Sequence, residues 1–133
     1  MRHLFFSLCL LCVADAAAAQ DCTKASSQAD MNICADNALR KADGELNTLY
    51  GQIRARLTDD AARSALLTTA QRAWVAHRDA ECAFAASAVE GGSAYPMIAA
   101  QCRTNLTEKR NEDFRLYLAC AEGDLSCPVP AGD

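Results

Sequence analysis

Hydrophobic residues recur every three or four positions over most of the chain, which is the period of an α-helix with one buried face. The first such run is Met31, Cys34, Ala38, Ala42, Leu46, Leu49, Ile53 and Leu57. Ser27, with Asp30 three residues later, is a variant of the capping box that opens a helix. The pattern predicts a first helix over about residues 27–57.

Two more helices are predicted after the first. Thr58-Asp59-Asp60 supplies a turn and a new cap, and the next run is Leu66, Ala70, Trp74, His77, Ala80 and Phe84. It predicts a helix over about residues 60–88, antiparallel to the first because the connection is short. Glycines and a proline predict a loop over Glu90–Pro96. The third helix is predicted over about residues 97–119, with Ile98, Cys102, Leu106, Phe114 and Tyr117 on one side. The predicted fold is therefore all-α, an up-down-up antiparallel bundle of three helices.

The N-terminus has the pattern of a cleaved secretory signal. Arg2 and His3 precede an apolar run over residues 4–14, and Ala16–Ala19 supply an Ala-x-Ala site before Gln20. The run is shorter than the roughly 20 residues that span a bilayer, so we expect no membrane association after cleavage. We expect a signal peptide over residues 1–19, one helical domain over 20–119 and an irregular tail over 120–133. The expected location is the periplasm or the exterior.

Of the eight cysteines, those beyond the predicted cleavage site are Cys22, Cys34, Cys82, Cys102, Cys120 and Cys127. An even number in an exported chain indicates disulfides that staple the bundle. Cys102 and Cys120 would lie about 27 Å apart along the third helix, whereas a disulfide needs Cα atoms within about 7 Å. Cys120 is therefore predicted to pair with Cys127. Among the other four, Cys22–Cys34 and Cys82–Cys102 are favoured because each closes a short loop, although swapped pairings are sterically possible.

The chain is mildly acidic, with a net charge of −4 that cleavage would not change, since Arg2 and Asp15 leave together. Nucleic acid and anionic membrane surfaces attract clustered lysine and arginine. Both are therefore poor candidate partners, and a basic protein is a better one.

Several polar residues fall beside the apolar stripes: Asp43, Asn47, Gln71, Arg78 and Arg110. Asp43 and Asn47 share one helical face, and Gln71 and Arg78 flank Trp74 on another. A buried arginine needs a carboxylate to offset its desolvation, which Asp43 or Asp79 could provide. We interpret these residues, together with Trp74, as a structural polar network between helices.

No motif indicates an enzyme, a metal site or a cofactor. Beyond the predicted cleavage site, His77 is the only histidine and no Cys-x-x-Cys occurs, and no Gly-x-Ser-x-Gly elbow surrounds a serine. Asp79 and Glu81 diverge by about 200 degrees on a helix, so they cannot flank one glycosidic bond.

Three segments carry a family resemblance: KADGELNTLY at Lys41–Tyr50, QRAWVAHRDAEC at Gln71–Cys82 and CRTNLTEKR at Cys102–Arg110. Together with four cysteines, they make the chain over about Asp21–Leu118 resemble the LprI-type lysozyme-inhibitor domain of secreted bacterial proteins. These cysteines are Cys22, Cys34, Cys82 and Cys102. The resemblance implies inhibition of a lysozyme. The chain departs from the family in lacking a lipobox and in carrying the extra Cys120–Cys127 loop.

The resemblance suggests that an acidic, disulfide-stiffened bundle blocks the cleft of a basic lysozyme non-covalently with a loop ordered before binding. The expected contacts are Glu90, Gly91, Gly92 and Tyr95, since glycines permit close approach and tyrosine is an amphipathic anchor. The Asp59-Asp60 turn at the opposite end is a second candidate. The alternative function is a periplasmic protein-interaction or envelope-stress module that binds another envelope protein near Trp74 and inhibits no lysozyme.

Overall fold

Helices make up most of the computed structural model, which describes residues 21–132. Helix α1 spans Gln28–Arg56, α2 spans Ala61–Ala85 and α3 spans Tyr95–Leu118, and a short 3-10 turn spans Ser87–Val89. The all-α prediction is confirmed, and no strand occurs within residues 21–132. The predicted signal peptide lies outside the described residues. Among the helices described, none has the length and apolar character needed to cross a membrane.

The first two helices begin at the side chains that the sequence marks as caps. The Ser27 hydroxyl accepts a hydrogen bond from the Asp30 amide at 3.1 Å. The Asp60 carboxylate accepts one from the Arg63 amide at 2.9 Å. Each cap satisfies an amide that has no partner inside the helix, which fixes where the helix starts.

The end of α2 and the start of α3 differ from the approximate predicted positions by two or three residues. Helix α2 ends at Ala85 instead of continuing to residue 88, and α3 begins at Tyr95 with Pro96 in its first turn. Proline suits this position because its missing N–H would have no helical partner there and its fixed φ is already helical. The connection between the helices is therefore residues 86–94, which is longer than the predicted loop Glu90–Pro96.

Helix α3 packs along α1, whereas α2 leans mainly on α3 and approaches the α1 backbone at few places. Small buried residues allow the close approach of α1 and α3: Ala35 and Ala42 on α1, and Ala99 and Ala100 on α3. The Asn111 side-chain amide reinforces this contact by donating to the Ala42 carbonyl at 3.1 Å. The pair α1 and α3 thus forms the body of the domain, with α2 laid against it.

The larger apolar side chains cluster towards the end of the bundle where α1 and α3 finish. The cluster consists of Leu46, Leu49, Ile53, Leu57, Phe114 and Val129. Val129 comes from the irregular tail and is only 3% exposed. Arg56 Nη1 donates to the Leu118 carbonyl at 2.7 Å and holds the end of α3. The tail therefore contributes to the core.

Three disulfides join the cysteines in the favoured pattern. Cys22 pairs with Cys34, Cys82 with Cys102 and Cys120 with Cys127, with Cα atoms 5.6, 5.5 and 5.6 Å apart. The Cys120–Cys127 loop is further fixed by the side-chain hydroxyl and backbone amide of Ser126, which donate to Asp124 and lower the pKa of its carboxyl group. Two disulfides therefore lie at one end of the bundle and one at the other.

The predicted apolar face of α2 was wrong except at Trp74. Leu66 and Phe84 are 69% and 77% exposed, and His77 is also exposed. The face towards α1 and α3 instead carries Leu67, Gln71, Trp74, Arg78 and Cys82. Two of these residues, Gln71 and Arg78, are polar, so the packed face of α2 is less apolar than its exposed outer face. The hydrophobic period therefore predicted the outer face as the buried one.

The exposure of these side chains generates a stability prediction. Ile53→Ala removes a side chain that is 0% exposed and should lower the free energy of unfolding by about 2–5 kcal/mol, since it leaves a cavity. Leu66→Ala removes an apolar side chain from the outer face of α2 and should change it by less than about 0.5 kcal/mol. Urea unfolding followed by circular dichroism measures both. Equal losses would contradict the orientation of α2.

Candidate functional site

The three helices meet at the guanidinium of Arg78. From α2, Arg78 Nη1 donates to Asp43 Oδ1 on α1 at 2.8 Å and to Thr107 Oγ1 on α3 at 3.1 Å. The Thr107 hydroxyl, which is 0% exposed, donates in turn to Asp43 Oδ1 at 3.3 Å. The Arg78 side chain is only 11% exposed, so these bonds offset the cost of desolvating its charge.

A second carboxylate extends this network towards the Cys82–Cys102 disulfide. Asp79 Oδ1 accepts a hydrogen bond from Arg78 Nε at 3.1 Å and lies 3.5 Å from Arg103 Nε on α3. Asp79 therefore links two cations that would otherwise repel each other, and it joins α2 to α3 one turn before the disulfide.

Trp74 lies beside two guanidinium groups. The Arg78 and Arg110 guanidinium carbons lie 5.2 and 5.9 Å from its ring centroid, within the range of a cation–π contact. Arg110 also lies 4.5 Å from the Phe114 ring and donates to Gln71 Oε1 at 3.3 Å. These contacts cover the indole and join its surroundings to the apolar core.

The structure brings together five of the six residues assigned to the polar network: Asp43, Gln71, Trp74, Arg78 and Arg110. Asn47 lies outside it, because its side chain is exposed and forms no hydrogen bond with the described residues. Sequence reasoning missed Thr107 and Asn111, both 0% exposed. The gap in the apolar stripe of α3 between Leu106 and Phe114 was the signal that could have found them.

The predicted partner-binding residues lie at the opposite end from the apolar core, in residues 86–95. We call residues 86–94 the clamped loop, because the Cys82–Cys102 disulfide joins the helices on either side of it. Glu90, Gly91 and Gly92 are exposed in this loop, and Tyr95 is half-buried in the first turn of α3. The structure therefore brings the four predicted contacts close together.

Hydrogen bonds fix the backbone of the clamped loop. Successive turns are closed by bonds from Val89 to Ala86, from Gly92 to Val89 and from Tyr95 to Gly92, at 3.0, 3.0 and 3.1 Å. Helix α1 reaches the loop through the side-chain amide of Asn32, which donates to the Ser93 carbonyl at 3.0 Å.

The two glycines of the clamped loop are needed for different reasons. Gly91 has a φ of +74°, a conformation that other residues rarely adopt. A Cβ added at Gly92 would lie 3.1 Å from the Val89 carbonyl oxygen. The loop is therefore tightly turned and fixed in its geometry.

A shallow groove between α1 and α3 adjoins the clamped loop, and we call it the apolar notch. Its volume is about 560 Å³, and its apolar lining includes Ile33 and Leu39 from α1 and Tyr95, Pro96 and Ala99 from α3. Ile33 is 47% exposed. The notch thus presents exposed apolar surface next to the loop.

Acidic residues predominate at this end of the bundle. Residues 21–40 and 78–103 contain six acids and four bases. Asp21, Asp36 and Asp79 form ion pairs with those bases, whereas Asp30, Glu81 and Glu90 form none with the described residues. The other candidate plug, the Asp59-Asp60 turn, has one of its two carboxylates engaged, since Asp60 caps α2 and lies 3.4 Å from Arg63 Nε. The unpaired negative charge is therefore greater around the clamped loop.

Within residues 21–132, the side chains that could take part in catalysis or bind a metal ion do not lie together at one site. His77 is exposed on the outer face of α2. No group of three histidine, cysteine or acidic side chains in residues 21–132 could hold a metal ion.

The fold and this end of the molecule define a small, disulfide-stapled helical domain with an ordered loop and exposed acidic side chains at the same end. The family model described as Lysozyme inhibitor LprI matches residues 18–114, and the chain belongs to that family. The family is one of inhibitors, and disulfides are typical of proteins in the periplasm or outside the cell. The resemblance noted from the sequence is thus confirmed.

Among curated proteins, the chain is similar to the uncharacterized protein R02472 of Rhizobium meliloti (strain 1021). The two are 42% identical over 130 residues, which cover 87% of this chain and 94% of that protein. No solved structure matches the chain significantly.

The polar network generates a second stability prediction. Asp43→Ala leaves Arg78 and Thr107 without their shared acceptor and should lower the free energy of unfolding by about 1–3 kcal/mol, because buried donors lose a partner. Asn47→Ala, one turn further along α1, should change it by less than about 0.5 kcal/mol. Chemical denaturation at neutral pH compares the two variants, and an Asp43→Ala protein as stable as Asn47→Ala would contradict the role given to the network.

Proposed function

We propose that this protein binds a basic lysozyme and blocks its cleft non-covalently with the clamped loop. The observation that supports this most is the order of the loop: the Cys82–Cys102 disulfide, the closed turns and the Asn32 bond hold residues 86–94 in place. A loop already held in one conformation loses little entropy on docking, so more of its contact energy appears as affinity.

The composition of the surface around the loop fits such a partner. Tyr95 and the apolar notch supply a central apolar patch, and Tyr is among the residues that most often dominate binding energy. Exposed Glu90 and Glu81 supply an acidic rim. A rim of this charge would steer a basic protein towards the loop and raise its association rate.

The proposed place of action is the periplasm or the exterior, after removal of residues 1–19. This proposal is supported by the signal-like sequence and by the three disulfides, which persist in oxidising compartments. A lysozyme entering the same compartment would meet the folded inhibitor directly.

The alternative interaction surface near Trp74 has less support. A partner-binding groove there would require exposed apolar area, but the Arg78 and Arg110 guanidinium groups lie beside the indole ring. Trp74 also packs against the apolar core. The contacts of Trp74 are those of a residue that joins helices.

The direct test is the rate at which several lysozyme types lyse bacterial cell walls, with and without the oxidised protein spanning residues 20–133. We expect dose-dependent slowing of at least one basic type. Unchanged lysis by every type would overturn the proposal and favour the interaction module.

Two substitutions locate the inhibitory surface. Tyr95→Ala should weaken inhibition about 30-fold, which corresponds to a hot spot of about 2 kcal/mol. Glu90→Gln should slow association, and the difference from the unsubstituted protein should shrink as salt screens the rim charge. Association and dissociation rates by surface plasmon resonance measure both effects.

The matched control is Asp59→Asn, which also removes one exposed acid but lies at the other end of the bundle. We expect it to inhibit as well as the unsubstituted protein. If Asp59→Asn weakened inhibition while Glu90→Gln and Tyr95→Ala did not, the Asp59-Asp60 turn would be the plug instead. Circular dichroism of each variant shows whether its fold is retained.

A further inference from the structure

A second surface, the groove between α1 and α2, is separate from the clamped loop. Its volume is about 590 Å³, and its polar lining includes Asp43, Tyr50 and Arg54 from α1 and Thr68, Arg72 and Arg78 from α2. The groove exists because α2 packs mainly on α3 and leaves the α1 backbone at a distance. Helix α1 begins beside the clamped loop. At 1.5 Å per residue, Arg54 lies about 39 Å along the helix axis from that start.

The groove is basic in an acidic protein. Three arginines line it against one acid, Asp43, and that carboxylate already accepts hydrogen bonds from Arg78 and Thr107. Arg54 and Arg72 are exposed, and their side chains form no ion pair with the described residues. They lie on opposite walls, so the groove offers two uncompensated guanidinium groups to a ligand placed between them. Guanidinium groups bind carboxylates and phosphates with paired hydrogen bonds.

The hydrogen-bonding groups between these arginines suit a ligand rich in hydroxyls. The Thr68 hydroxyl donates to the Ser64 carbonyl at 2.9 Å, so in the 3.2 Å contact between Tyr50 and Thr68 the tyrosine is the donor. The Tyr50 oxygen therefore keeps its capacity to accept a hydrogen bond. Gln71 also lines the groove, and because its Oε1 accepts from Arg110, its amide hydrogens remain as donors.

We propose that the α1–α2 groove is a binding site for an anionic sugar, with Arg54 and Arg72, one turn to either side of the Tyr50–Thr68 contact, attracting the anionic group and Tyr50 and Gln71 contacting the hydroxyls. The anion is a carboxylate or a phosphate, since both match the guanidinium fork. The site is independent of lysozyme inhibition, because Arg54 lies near the opposite end of α1 and Arg72 lies about 21 Å along α2 from the clamped loop, at 1.5 Å per residue.

The test is isothermal titration calorimetry of the oxidised protein with matched probes. Cellobiouronic acid is compared with neutral cellobiose, and glucose 6-phosphate with glucose. We expect saturable binding of at least one anionic probe, about tenfold or more tighter than its neutral counterpart, as the loss of a hydrogen bond to a charged group predicts. The probe that binds more tightly identifies the anion as carboxylate or phosphate.

Substitutions assign the binding to the groove. Arg54→Gln and Arg72→Gln should each weaken the binding of the anionic sugar by about tenfold or more. Arg63→Gln removes an exposed arginine of α2 that does not line this groove and should leave binding unchanged. Both groove variants should inhibit lysozyme as well as the unsubstituted protein, so a failure of inhibition and a failure of sugar binding are separable.

Three results would overturn the site. The first is the absence of saturable binding of either anionic probe at concentrations up to about 10 mM. The second is equal binding of charged and neutral sugars. The third is an equal loss in Arg54→Gln, Arg72→Gln and Arg63→Gln, which would show a general charge effect in place of a site.

Discussion

The Arg78 guanidinium reaches from α2 to a carboxylate on α1 and a hydroxyl on α3, and the position of α2 depends on this contact. Helices α1 and α3 are held together by small residues and an apolar cluster, but α2 approaches the α1 backbone at few places. Apolar packing alone would allow α2 to rotate about its axis or shift by a turn. A planar guanidinium with fixed partners permits one orientation, because any other leaves a charge desolvated without its acceptors.

That orientation accounts for both surfaces of interest. Turning Gln71, Trp74 and Arg78 inward exposes Leu66 and Phe84 on the outer face of α2 and leaves a polar groove between α1 and α2. It also brings Cys82 to Cys102, which clamps the loop between the helices. The acidic end with the clamped loop and the basic groove therefore both result from the orientation of α2. The two surfaces carry opposite charge, which the net charge of −4 for the whole chain does not reveal.

The disulfides compensate for an uneven core. The large apolar side chains Leu49, Ile53 and Phe114 lie towards the tail end, whereas the loop end is packed by Ala35, Ala99 and Ala100. Small side chains bury little area and so contribute little hydrophobic free energy. Two of the three disulfides lie at that end, where they restrict the unfolded chain and hold the loop. The end proposed to bind a partner is thus rigid through covalent bonds.

The sequence by itself determined the class and order of the helices, the caps at Ser27 and Asp60, the Cys120–Cys127 pair and the family. Each follows from residues close together in the chain, or from a pattern recognisable along it. Only the tertiary structure decided which face of α2 is buried, which pairs the other four cysteines form, and that Thr107 and Asn111 are buried. The physical reason is that a polar side chain becomes a core residue only when partners from other helices satisfy it. Asp43, Arg78 and Thr107 are far apart in sequence, so no local pattern of hydrophobicity reveals that they meet.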